Sequence, residues 1–292
     1  MSSVSSDRTL PWPLVETEWL AAHLADPDLR ILDCAILLEL KDGVPQMRSG
    51  RPAWQEGHIP GSQYVDVLEE LSDTNHHLPT MAPPIADFAE IMGNLGVGEG
   101  TKVVLYDRSE HAWAGRVWWT LRAAGFDNAA VLNGGWNKWM SESREVSTDA
   151  VSHPKANFVA SPKPELFADK HEVLASLHNK SVSLINALTP DMFSGKVNAY
   201  GRPGRIPGSS NVFCQLVIDP QTNAFLPVEE LRKMFAHTNA ENAERVITYC
   251  GSGIAASGDA LALVLLGATN VAVYDGSLAE WASDPSLPLE VD

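Results

Sequence analysis

The chain has 292 residues, 45% of them hydrophobic, enough for two cores of about 130 to 150 residues each. Its 37 acidic and 21 basic residues give a formal charge of −16, which disfavours nucleic acid or an anionic membrane as a partner. No apolar run approaches the ~20 residues of a membrane span, and the first eight residues lack the basic-then-apolar order of a secretory signal. Cys34, Cys214 and Cys250 are odd in number and far apart, which argues against a disulfide framework and for a reducing, cytoplasmic setting.

In chain order, Trp19 to Leu24 reads as helix and Arg30 to Cys34 as a short apolar strand. An irregular polar stretch leads to the turn Ile59-Pro60-Gly61-Ser62 and a strand over Gln63 to Val67. Ile85 to Leu95 carries apolar residues at helical spacing and stops at Gly96. Val103 to Tyr106 is the next strand, Ala112 to Ala124 an apolar helix closed by Gly125, Ala130 to Leu132 a strand, and Gly134 to Met140 a final helix. Residues 144 to 163 hold no strong period and several Ser, Pro and Lys residues, which suits a linker.

The second half repeats the first. Val103 to Asp107 matches Val246 to Cys250 at an offset of 143 (246 − 103). Gly125, Asn128, Val131, Gly134 and Trp139 match Gly267, Asn270, Val273, Gly276 and Trp281 at 142 (267 − 125). His58 to Ser62 matches Arg205 to Ser209 at 147 (205 − 58). Three blocks in the same order at nearly constant spacing mark a duplicated domain. The expected units are 10–143, a linker over 144–163, and 164–287. Strands alternating with helices imply an α/β fold: in each unit a mostly parallel sheet with helices on both faces.

Ligands of such sheets bind beyond the carboxyl ends of the strands. Cys250 ends one strand there, and Asp107 ends its twin. The run Val246 to Ala256 reads as strand, glycine-bracketed turn and helix start. Backbone N–H groups and the positive end of a helix dipole favour a thiolate in such a turn, and the thiolate is the nucleophile. Asp107 reads as a carboxylate that hydrogen-bonds its own loop. His76 and His77 lack a third ligand at metal spacing, so no metal is expected, nor any cofactor.

The duplicated Ile-Pro-Gly-Ser turns, the Asp107/Cys250 asymmetry and the ends Asn133-Gly134-Gly135-Trp136 and Asp275-Gly276-Ser277-Leu278 resemble the two-domain rhodanese-like sulfurtransferases over nearly the whole chain. The loop Cys250-Gly251-Ser252-Gly253 is similar to the mercaptopyruvate-using type, whereas thiosulfate-preferring members place basic residues after the cysteine. The resemblance implies tandem rhodanese-like domains, the second catalytic. It also implies attack by Cys250 on the sulfur of 3-mercaptopyruvate to give a persulfide. A thiol acceptor such as thioredoxin or a small thiol, or cyanide in an assay, then takes the outer sulfur. Thiosulfate as donor, or a sulfur carrier with weak turnover, are the alternative readings.

Under the same resemblance, Cys250 and Ser252 are the catalytic pair, with Ser252 either relaying a proton or capping the helix. Gly251, Gly253, Ile254 and Ala255 supply the amide cradle around the substrate. The arginines that commonly grip the substrate are replaced by Leu188 and Met192, and Arg202 or Arg205 is the expected substitute for binding a carboxylate. His76, in His76-His77-Leu78-Pro79, resembles the histidine that supports the loop serine, but Leu68 stands where its acid partner is expected, with Glu69 and Glu70 adjacent. Cys34 reads as packing, and Cys214 as packing or a resolving thiol.

Overall fold

The computed structural model describes residues 10–41 and 44–292; the N-terminal stretch read for a secretory signal lies outside them. The first half contains β1 (Leu14–Val15), α1 (Thr17–His23), β2 (Leu29–Asp33), β3 (Ile36–Lys41), β4 (Val44–Ser49), α2 (Arg51–Glu56) and β5 (Ser62–Tyr64). It continues with α3 (Ile85–Asn94), β6 (Lys102–Tyr106), α4 (Ala112–Ala123), β7 (Ala129–Leu132) and α5 (Gly135–Ser141). The second half begins with β8 (Phe167–Ala168), α6 (Lys170–Ser176), β9 (Val182–Asn186), α7 (Pro190–Phe193) and β10 (Ser210–Asn211). It ends with α8 (Val228–Phe235), β11 (Arg245–Tyr249), α9 (Ile254–Leu265), β12 (Val271–Tyr274) and α10 (Ser277–Trp281).

Each half builds one five-stranded sheet in the same order, β1-β7-β6-β2-β5 and β8-β12-β11-β9-β10, and every pairing within them is parallel. The central strands are buried on both faces, so successive residues feed different cores. Val103 and Leu105 face a central cluster with α3 and α4, while Val104 and Tyr106 face an outer one with Leu20 of α1 and Trp139 of α5. In the second sheet Val246 joins the central cluster, and Ile247 and Tyr249 pack with Val173 of α6 and Trp281 of α10.

The central cluster is continuous across both halves. Its seam is α4 against α9, where a Cβ on Gly115 would lie 3.5 Å from the Ser257 carbonyl oxygen. A bulky residue at 115 would therefore push the two halves apart.

The stretch between Cys34 and Ile59, read as irregular, is instead an antiparallel hairpin of β3 and β4 followed by α2. Leu38 on this hairpin is 71% exposed, so no buried face imposes a clean alternation on its sequence. The Asp42-Gly43 pair was the available signal, since Asp-Gly favours a two-residue hairpin turn. Residues 144–163 have no helix, and they are tied to the first half. Ala156 donates to the Gly93 carbonyl, Ser161 to that of Ala124, and Phe158 is buried edge-on against Phe88.

Candidate active site

Cys250 follows directly on β11, and α9 starts four residues later. The loop between them closes because Gly253 takes a left-handed φ of 78°, and a Cβ there would press on Asp275 Oδ1 at 2.7 Å. Ser277 holds the loop from below. Its Oγ accepts from the Cys250 N–H at 3.0 Å and the Gly253 N–H at 3.2 Å, and donates to the Tyr274 carbonyl at 2.7 Å. The start of α10 adds two more bonds, from Leu278 N–H to the Cys250 carbonyl and from Ala279 N–H to that of Gly251. Cys250 is only 2% exposed.

The loop's anion-binding capacity is visible in its twin. Asp107 accepts from the N–H groups of Ser109, His111, Trp113 and Ala114 at 3.0 to 3.3 Å. The loop after Asp107 is one residue longer than its twin, so the equivalent donors are Ser252 (109 + 143) and, at the helices' offset of 142, Gly253, Ala255 and Ala256. Among the described residues the N–H groups of Ser252, Ala255 and Ala256 have no protein acceptor outside α9's own ladder, while that of Gly253 donates to Ser277 Oγ. The cradle that holds a carboxylate in one half is thus open around a sulfur in the other, at the positive end of a 12-residue helix.

The two halves lock each other's loops reciprocally, residue i of one meeting j of the other and the reverse. Thr80 donates through Oγ1 to the Ser252 carbonyl at 2.8 Å, and its counterpart Asn223 donates through Nδ2 to the Ser109 carbonyl at 2.7 Å. Both residues are left-handed, with φ of 54° and 59°. Ala82 N–H donates to Asp275 Oδ2, as Phe225 N–H does to Asn133 Oδ1. On the catalytic side Arg116 of α4 reaches across to Asp275 as an ion pair at 2.6 Å, and donates through Nη2 to the Thr80 carbonyl at 2.8 Å.

The residues singled out from sequence divide in two. Cys250, Gly251, Ser252, Gly253, Ile254 and Ala255 are brought together as one turn and helix start. Ser252 is half-buried and makes no side-chain cap on α9, whose first residue follows Gly253. Arg202 and Arg205 are engaged elsewhere. All three nitrogens of the Arg202 guanidinium donate to carbonyls, those of Trp281, Ala282, Asp284 and Leu287, where it ties down the chain after α10. Arg205 lies 2.7 Å from Asp292 Oδ1 and 3.7 Å from Glu290 Oε2, stacked over Phe193.

His76 is exposed, stacks on His77, and accepts the Leu78 N–H at Nδ1. It lines a cleft of about 400 Å³ with Leu68, Asp73 and Thr80, so it borders the loop through Thr80 and does not touch it. Glu70 is held by Arg51 and by the Asp66 N–H.

Burial pushes the Cys34 thiol well up, with Asp33 and Asp107 adding to the shift. Burial does the same to Cys214, with Asp259 and Cys250 next. Its N–H donates to the Ala187 carbonyl, one strand over from the Cys250 strand end. Five residues around the loop escaped the sequence reading: Ser277, Thr80, Arg116, Asp275, and Tyr200, whose ring a Cβ at Gly251 would strike. Ser277 aligns with Gly135 in the repeat (277 − 142), so the exchange of a glycine for a hydroxyl at the loop's base was the available clue.

Comparison with known proteins agrees with this geometry. The Rhodanese-like domain matches twice, over residues 16–142 and 169–284. The 3-mercaptopyruvate sulfurtransferase of Escherichia coli K12 is 32% identical over 280 residues, spanning 94% of this chain and 97% of that protein. The thiosulfate sulfurtransferase of Rattus norvegicus is 34% identical over 278 residues, spanning 92% and 91%. The crystal structure of SseA from Escherichia coli superposes with a TM-score of 0.81 at 31% identity, covering 91% of this chain and 98% of that one. With two matched domains and one intact cysteine loop, the chain belongs to the rhodanese-like family and is a two-domain sulfurtransferase.

Proposed function

We propose that this sulfurtransferase takes its sulfur from 3-mercaptopyruvate, carries it as a Cys250 persulfide, and passes it to a thiol. The supporting observation is the cysteine placed where the twin loop binds a carboxylate, beside the unclaimed N–H groups of Ser252, Ala255 and Ala256. Cys250 thiolate attacks the donor sulfur; an S–S bond forms, the C–S bond breaks, and its electron pair leaves with pyruvate as the enolate, which takes a proton at carbon. An acceptor thiolate then attacks the outer sulfur, forming a new persulfide and returning the Cys250 thiolate. The loop amides stabilise the anionic sulfur between the two steps, as an oxyanion hole does. In this reading residues 10–143 are the non-catalytic copy, residues 144–163 join it to the catalytic copy at 164–287, and a small thiol or thioredoxin is the acceptor. Three free, buried cysteines fit a reducing cytoplasm.

Thiosulfate is the second donor to consider, because relatives named for it match equally well. A dianion calls for cations beside the thiolate, and Gly251 and Ser252 supply none. Steady-state assays with each donor, cyanide as acceptor, and a mass measurement of Cys250 after loading test the reading. Turnover with mercaptopyruvate exceeding that with thiosulfate, through a one-sulfur mass gain, is expected. Turnover with thiosulfate alone would reverse the donor assignment.

A further inference from the structure

The segment before the second Ile-Pro-Gly-Ser turn folds back over the catalytic loop. A Cβ at Gly251 would collide with the hydroxyl, Cζ and Cε1 of Tyr200. The tyrosine oxygen therefore lies against the backbone of the residue following the nucleophile, a position only a glycine leaves open. Local bonds fix the turn: Asn198 Oδ1 accepts the Tyr200 N–H, and Asn198 Nδ2 donates to the Gly201 carbonyl. The ring packs on the second outer core, while among the described residues the hydroxyl has no hydrogen-bond partner. Burial and the neighbouring Cys250 push its pKa up to about 12, so it stays a proton-bearing donor at neutral pH.

Cations do not fill this role. Positions 188 and 192 are Leu and Met. Arg202 is consumed by carbonyls, Arg205 by carboxylates, and Arg116 is neutralised by Asp275. Lys196 points outward, 74% exposed and 3.6 Å from Asp191.

We propose that Tyr200 is a catalytic residue whose hydroxyl donates a hydrogen bond to the donor oxygen that becomes the enolate oxygen. The inference rests on the mercaptopyruvate reading above. As the C–S electron pair moves into the leaving group, negative charge gathers on the former carbonyl oxygen; the phenol proton stays on tyrosine and strengthens its bond to that oxygen. A neutral donor serves one developing oxyanion well and does little for the two full charges of thiosulfate. The site is thus selective for thiols next to a ketone.

The test is Tyr200→Phe, which keeps the ring and removes the donor. Loading of Cys250 is followed with mercaptopyruvate and, separately, with inorganic polysulfide, whose leaving group carries no oxygen. Loss of about 10²-fold in kcat with mercaptopyruvate is expected, the size of one lost oxyanion donor. KM should move less than about threefold, with polysulfide loading unchanged. Unchanged kcat with mercaptopyruvate would overturn the proposal. So would an equal loss with both donors, because the hydroxyl would then act on Cys250 itself. Wild-type protein inert to mercaptopyruvate would instead sink the donor assignment, a result visible before any variant is made.

Discussion

The Asp107 and Cys250 loops are the same device in two states. Both stand at the carboxyl end of the central strand of a parallel sheet, and both lead into a helix of 12 residues. In the first, a carboxylate on the chain itself fills the cradle and accepts four N–H groups. In the second, the side chain is shorter, the amides of Ser252, Ala255 and Ala256 are unclaimed, and Ser277, in place of Gly135, takes those of Cys250 and Gly253. A copy that satisfies its own anion hole is stable and chemically closed; a copy that leaves the hole unfilled can bind a charge made during reaction. The interface between the halves shows a parallel divergence. Arg116, which finds Asp275, has Gly258 as its twin (258 − 116 = 142), and the neighbouring Asp259 is fully buried with neither carboxylate oxygen hydrogen-bonded. Asn133 stands where Asp275's twin would be, so among the described residues the pair formed by Arg116 and Asp275 has no counterpart.

Copying the silent loop into the active one is the most drastic way to break this comparison. Cys250→Asp, like Cys250→Ser, should abolish sulfur transfer, with loss of at least about 10³-fold, because no persulfide forms. The aspartate variant should nevertheless fold with an unchanged or raised Tm, since its carboxylate meets the waiting donors of Ser252, Ala255 and Ala256. A large drop in its Tm would mean that the two cradles differ more than their sequences suggest.

Next in size is the clamp. Arg116 is 2% and Asp275 9% exposed, so Arg116→Met leaves a buried carboxylate without its cation and should cost about 3–5 kcal/mol in urea denaturation. The same variant frees the carbonyl of Thr80, whose hydroxyl braces the Ser252 carbonyl, so kcat should fall as well.

Asp107→Asn is a smaller test. It retains one acceptor oxygen and turns an amide N–H₂ toward the N–H groups of Trp113 and Ala114, for an expected cost of about 1–3 kcal/mol and little change in KM.

The smallest effect sharpens the interface comparison through pH. Burial raises the Asp259 pKa well above its usual value, so the native state holds that proton more tightly than the unfolded chain does. Its contribution is complete below the unfolded pKa of about 3.9 and is lost as pH climbs from there toward the raised native value. Asp259→Asn should remove that decline and make the protein modestly more stable at neutral pH. A stability–pH curve parallel to wild type would mean that the carboxyl finds a partner in solution.

Much of this was legible in the chain. The repeat offset revealed two domains, and the glycine-bracketed cysteine after a β-branched run revealed the nucleophile, because those features act over a few residues of backbone. The pairing of β3 with β4 went unread, since side chains such as Leu38 face solvent and leave no clean alternation. Arg202 and Arg205 looked available because charge is visible in sequence and a hydrogen-bond acceptor is not. The carbonyls that occupy Arg202 come from a segment about 80 residues later.

Sequence alone determined the duplicated parallel-sheet scaffold and the chemical difference between its two loops, for both follow from local backbone preference and one residue's identity. Only the folded molecule decided which groups surround the sulfur. Ser277, Thr80, Arg116 and Tyr200 reach Cys250's loop from four separate segments, two of them in the opposite half. Contacts of that range depend on how two sheets pack across α4 and α9, and no periodicity within either segment encodes them.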